Sequence, residues 1–162
     1  MNEPCLGNAC IPVERECAMN EGSSMTTQPL PYFEHDADIG VIGRGPTLER
    51  AFEAAAQAVF AIITPLDAVQ PQATVSIEFE EADSELALVI WLNLLLGKAR
   101  ELGMVFGRFH LQHQGNKWNG EASGEKWNES LERGVEVKGA TLTMLSVEQA
   151  GAIWEARCVV DV

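Results

Sequence analysis

Two stretches of the sequence bring together groups that can do chemistry. The first is Glu34-His35-Asp36-Ala37-Asp38-Ile39-Gly40, with three acids and a histidine in seven residues where a short extended run begins. The second is the end of the chain, Val159-Val160-Asp161-Val162. A strand finishing there sets the Asp161 side chain beside the main-chain carboxylate of Val162. If a sheet brings that end next to Asp38, three carboxyl groups converge, and a cation between them relieves their repulsion. All the donors are hard oxygens, suited to calcium, magnesium or manganese rather than zinc. The alternative from spacing alone is an Asp that is simply solvated.

Elsewhere the same residue types have plainer explanations. Glu78, Glu80, Glu81, Asp83 and Glu85 resemble a cation trap, but they fall on the outer face of an alternating strand and at a helix start. Carboxylates are favoured at a helix start by the macrodipole. His110 and His113, three apart in a predicted strand, are expected on opposite faces, at the surface and unable to bind a metal jointly. There is no Gly-x-x-x-x-Gly-Lys phosphate loop, no Gly-x-Ser-x-Gly elbow and no His-Glu-x-x-His. Gly40, Gly43 and Gly45 lack the spacing of a dinucleotide fingerprint. Cys5, Cys10, Cys17 and Cys158 lack the paired spacing of a zinc site or redox dithiol, so free thiols in a reducing cytoplasm are expected.

The elements that must position these groups are readable in outline. The chain has 162 residues, 46 % of them hydrophobic, which suits one core. Residues 1–31 show no period and are expected to be a disordered extension, with Met25 an alternative natural start; residues 32–162 form the domain. The opening Met-Asn-Glu-Pro carries no positive region of a secretory signal. The longest apolar run, Leu86 to Leu96, is broken by Asn93 and falls short of the roughly 20 residues a bilayer span needs. The formal charge is −13, and −10 of it belongs to residues 32–162. That balance argues against a protein that grips phosphate backbones directly.

Within the domain, Asp38 to Gly43 reads as extended and Gly45-Pro46 as a turn into a first helix capped by Thr47. Leu48, Ala51, Phe52, Ala55, Val59, Ile62 and Ile63 make its apolar stripe, and Pro65 ends it. Thr74 to Glu80 alternates as a half-buried strand. Asp83 or Ser84 caps a second helix, Glu85 to about Glu101, apolar nearly all round and expected to be central and buried, with Gly103 closing it. Further strands are expected over Phe106 to His113, Trp118 to Gly124, Val135 to Val147 and Ile153 to Val162. Two helices with five or six strands, mostly joined as hairpins, predict an α+β domain with a mainly antiparallel sheet.

The order of these pieces resembles the archease family. The segments that carry the resemblance are Tyr-Phe-Glu-His-Asp-Ala-Asp-Ile-Gly (32–40), Thr-Leu-Glu-Arg-Ala-Phe-Glu-Ala-Ala-Ala (47–56) and Asp-Ser-Glu-Leu-Ala-Leu-Val-Ile-Trp-Leu-Asn (83–93). Gly124-Glu125, Glu136 to Thr141 and the closing Val159-Val160-Asp161-Val162 complete the set. The resemblance implies an accessory protein of the GTP-dependent RNA ligase that rejoins tRNA halves after splicing. Such a protein is an activator rather than an enzyme: it promotes guanylylation of the ligase and its multiple turnover. The resemblance further implies a divalent ion, usually calcium, held by residues matching Asp38, Asp161 and Val162. Beside the resemblance stand the expectations from composition: a cytoplasmic location, little or no direct nucleic-acid binding and no membrane.

The sequence departs from the family pattern at Asp36, where Thr is common, and at Thr143, where many members have His. The stretch after Gly124-Glu125 also lacks a frequent His. These changes bear on contacts with the ligase and leave the proposed ligands untouched. Lys138 is retained, either as a solvated strand lysine or as a partner or phosphate contact. The competing readings are a metal-dependent hydrolase, for which only Glu34 and His35 lie near the carboxylates in sequence, and a general chaperone or assembly factor.

Overall fold

A computed structural model describes residues 32–35 and 38–162; the expectations for residues 1–31 and for Asp36 lie outside them. The turn at Gly45-Pro46 leads from β2 (Asp38–Gly45) into α1 (Leu48–Ile63). The Thr47 hydroxyl accepts from the Arg50 amide at 3.2 Å, satisfying one of the amides a helix start leaves free. Thr64 turns extended before Pro65, and α1 stops. The helix lies directly on β2. A Cβ on Gly43 would stand 2.1 Å from the Ala51 carbonyl, so only glycine permits this approach.

Strand β2 sits between β1 (Tyr32–His35) and β8 (Ile153–Asp161), all antiparallel. The two-residue β6 (Gly139–Ala140) and then β7 (Ser146–Ala150) pair along the other edge of β8. A second antiparallel sheet has the order β3 (Ala73–Glu80), β5 (Lys117–Lys126), β4 (Met104–Gln114). Helix α2 (Ser84–Leu102) is capped by Asp83, whose Oδ1 accepts from the Glu85 and Leu86 amides, and ends at Gly103 with φ 61°. The α+β class with antiparallel sheets and two helices is therefore observed.

The core lies between the helices and the sheets. Trp91 is fully buried and its indole N–H donates to the Phe52 carbonyl at 3.3 Å. Phe52, Trp118 and Phe79 stack in sequence, with centroid separations of 5.2 and 5.7 Å. Such side chains contribute about 1.5–3 kcal/mol each when fully buried.

Three expectations need correction. Eight strands are found among the described residues, not five or six, because residues 32–35 and 146–150 also pair. Helix α2 is not buried all round: Leu86, Leu94 and Leu102 remain 42, 37 and 39 % exposed, since the sheets cover only the Leu88, Trp91, Leu92 and Leu95 side. Val135 to Val147 is not one strand. The amides of Gly134 and Val135 donate to Ile63 and Ile62 at 2.7 and 3.0 Å, so this stretch caps the end of α1 instead of pairing. Only Gly139, Ala140 and the later β7 join the sheet. No helix among the described residues is long and apolar enough to cross a membrane.

Candidate metal centre

The register of β2 against β8 runs from Gly45 opposite Trp154 to Ile39 opposite Val160. One further residue along each strand sets Asp38 against Asp161. Residues opposite each other in an antiparallel pair project to the same face. The two carboxylates singled out in the sequence therefore share one end and one face of the sheet. On one side β1 folds back, pairing His35 with Asp38; on the other, β6 pairs Gly139 with Asp161. Asp38 and Val162 are half-buried and Asp161 is exposed.

Lys138 joins this end. Its amide donates to the Asp161 carbonyl at 2.7 Å, and its ammonium donates to the Val162 main-chain oxygen at 3.1 Å. The Val162 oxygen thus already takes a cationic partner. Among the described residues no three His, Cys, Asp or Glu side chains stand at metal-binding spacing. The candidate set has two such side chains, Asp38 and Asp161, and a third protein donor would have to be main-chain oxygen such as that of Val162. Two carboxylates and main-chain oxygen form a hard-oxygen set that fits calcium, magnesium or manganese, with water completing the shell.

The histidines are both exposed, as expected, and each also has a carboxylate partner. Both reach α1 from β4: His113 Nδ1 lies 2.6 Å from Glu49 Oε1, and His110 Nδ1 lies 3.2 Å from Glu53 Oε1. Their partners are four residues apart and so share one face of α1. Burial pushes the Glu49 carboxyl up, but hydrogen bonds from its own backbone, Thr47 and His113, with the His113 charge, hold it below the usual range. Glu53 is 4 % exposed and also accepts from the Leu111 amide and from Arg50. These contacts tie α1 to the β4 edge. The acids Glu78 and Glu80 are exposed, Glu85 is half-buried in the first turn of α2, and Asp83 is the α2 cap, as the plainer reading anticipated.

Residues 31–162 match the model of the Archease protein family. The chain is 37 % identical over 134 residues to a protein archease of Sulfolobus acidocaldarius, spanning 81 % of this chain and 96 % of the relative. It is 38 % identical over 136 residues to that of Thermococcus kodakarensis, spanning 80 and 96 %. The chain belongs to the archease family.

Two solved structures share the archease fold. A solution structure of a Methanobacterium thermoautotrophicum protein superposes with a TM-score of 0.68 at 29 % identity, covering 81 % of this chain and 96 % of the other. A crystal structure from Thermotoga maritima, described as an archease and possible chaperone, gives 0.59 at 20 % identity, covering 80 and 94 %. In the present archease domain two polar side chains that the sequence did not single out converge on the carboxylate end. Asn93 and Arg100, both on α2, bond to the backbone of residues 137–140. Their sequence signal is their i, i+7 spacing, with Asn93 interrupting an apolar run.

Proposed function

We propose that this archease is a cation-binding accessory protein that activates a GTP-dependent RNA ligase, promoting its guanylylation and its multiple turnover in tRNA splicing or RNA repair. The observation that carries the reading is the β2–β8 register, whose last pair, Ile39 opposite Val160, is followed at the same end of the sheet by Asp38 on one strand and by Asp161 and Val162 on the other. Those groups are the ones expected of the family, and the family is that of this chain. The ligands are the Asp38 and Asp161 carboxylates and main-chain oxygen at Val162, with calcium the first expectation and magnesium or manganese the others.

A divalent cation at such an end supplies positive charge that offsets charge on phosphoryl oxygens at a crowded transfer site. The chain's own groups do the rest. The paired strands hold the two carboxylates on one rim, and Lys138 balances part of their charge. The formal charge of −10 over residues 32–162 favours work on nucleic acid through a more basic partner, in the cytoplasm, with little direct RNA contact. The possible-chaperone description of the Thermotoga relative is compatible with a protein that acts on another protein.

The test is to incubate the protein with its candidate ligase, GTP and divalent metal and follow covalent guanylate on the ligase. Faster accumulation and repeated turnover are expected. Unchanged guanylylation and a single turnover would refute the activator role, and product formed without ligase would favour the hydrolase instead.

A further inference from the structure

The strand that carries Lys138 is irregular. Lys138 and Thr141, three residues apart, donate to the carbonyls of Asp161 and Val159, which are two apart. One extra residue on the β6 side is the mark of a β-bulge, a device that re-aims a neighbouring side chain and leaves backbone groups unpaired. Ala140 stands next to the bulge, opposite Val160, with its N–H and C=O turned away from β8, and Asn93 takes both. Its Nδ2 donates to the Ala140 carbonyl at 3.0 Å, and its Oδ1 accepts from the Ala140 amide at 2.9 Å. Gly139 gives the amide room, since a Cβ there would stand 3.1 Å from Asn93 Oδ1.

Two turns further along the same face of α2, Arg100 donates through Nη2 to the Val137 carbonyl at 2.9 Å and to the Lys138 carbonyl. Seven helical residues rise about 10 Å, and three extended residues span about 10 Å. The two side chains therefore match the length of the bulged segment and hold it at both ends. Between the clamps, the Lys138 ammonium reaches the Val162 main-chain oxygen.

We propose that Asn93 and Arg100 are positioning residues of the carboxylate end: they fix the bulge at residues 137–140, keep the Lys138 ammonium on the Val162 oxygen, and so set how strongly that end draws a divalent cation. The inference rests on the cation reading above, because it gives Lys138 the part of a competitor for an oxygen that the cation also uses. Loosening the clamp frees that oxygen. An Asn in the middle of an apolar helical run thereby has a reason to be there.

Asn93→Leu changes no charge and Arg100→Gln acts at the other clamp, so the two together guard against one variant failing to fold. Crystal structures of both, grown without divalent metal, are expected to show Lys138 Nζ more than 4 Å from the Val162 oxygen. Retention of the wild-type contact in both would overturn the proposal. Calcium titration by calorimetry supplies the second arm. Lys138→Met is expected to tighten binding about threefold or more, in keeping with a partly solvated charge. Asn93→Leu should shift the Kd in the same direction, and the Asn93→Leu/Lys138→Met protein should match Lys138→Met alone. Shifts that simply add, or a lowered Tm with an unmoved Kd, would mean a structural role only. If wild-type protein takes up no calcium, the cation reading fails, and the crystallographic comparison still decides the positioning.

Discussion

Replacing Glu53 by Leu removes a carboxylate that is buried where α1 meets the open edge of β4. Glu53 is 4 % exposed. Its Oε1 accepts from the Leu111 amide at 2.9 Å, and its Oε2 accepts from Arg50 at 2.8 Å. The Arg50 side chain is 60 % exposed, so that ion pair contributes at most about 1 kcal/mol. The Leu111 amide weighs more. It faces away from β5, and without Glu53 it is a buried donor with no acceptor. A bond to a charged acceptor is worth about 1.5–3 kcal/mol, and the orphaned donor keeps its desolvation penalty. Apolar burial of the new side chain returns about 1 kcal/mol. The net loss is about 2 kcal/mol, a shift of roughly 8 °C in Tm for a domain of this size. Glu53→Gln keeps an oxygen for the amide and should lose less than about 1 kcal/mol. Urea unfolding with an unchanged m-value measures both. A Leu variant as stable as the Gln variant would refute the claim that the carboxylate is there for the β4 edge.

Two further outcomes follow from the charges and burial. The hydrogen bond from Arg157, with that from Arg44, outweighs burial and holds the Glu155 carboxyl below its usual range. A carboxylate with a lowered folded pKa stabilises the protein above its unfolded pKa and ceases to do so as pH falls through the folded value. The stability gap between wild type and Glu155→Gln should therefore close as pH drops below 4.5; a gap independent of pH in urea titrations would count against the pairing. Cys158 is fully buried, which pushes its thiol up to about 12. Peptide mapping after brief iodoacetamide treatment at pH 8 should find it unmodified in native protein and modified after unfolding, whereas native modification would show that β8 opens readily.

Local signals were enough for both helices. Thr47 and Asp83 are the caps, Pro65 and Gly103 mark the ends, and clean alternation identified β3. The closeness of Asp38 and Asp161 along the sheet stayed conditional in the sequence, because nothing local says which strand pairs with the last one; the β2–β8 register supplies that partner. The region from 127 to 145 was opaque for a physical reason. Its amides bond to helix ends, as at Gly134 and Val135, or leave a bulge that Asn93 closes, and neither arrangement has a period. The histidines were legible as surface residues but their partners were not, because alternation along a strand says nothing about a helix lying beside its edge. His113 stacks on Trp118 with centroids 4.4 Å apart and reaches Glu49, while His110 reaches Glu53 from the same edge. The exposed rim of α2 was hidden in a run whose apolar residues serve two purposes, core packing at Trp91 and Leu92 and open surface at Leu86 and Leu94.

The central claim is that one end of the β2–β8 pair holds a divalent cation through Asp38, Asp161 and main-chain oxygen at Val162. Calorimetric titration of calcium into wild type, Asp38→Asn and a variant with a few residues appended after Val162 tests it most directly. Loss of a ligand charge should weaken binding about tenfold or more, and the appended variant should weaken it comparably. Wild-type affinity in both altered proteins would contradict the account.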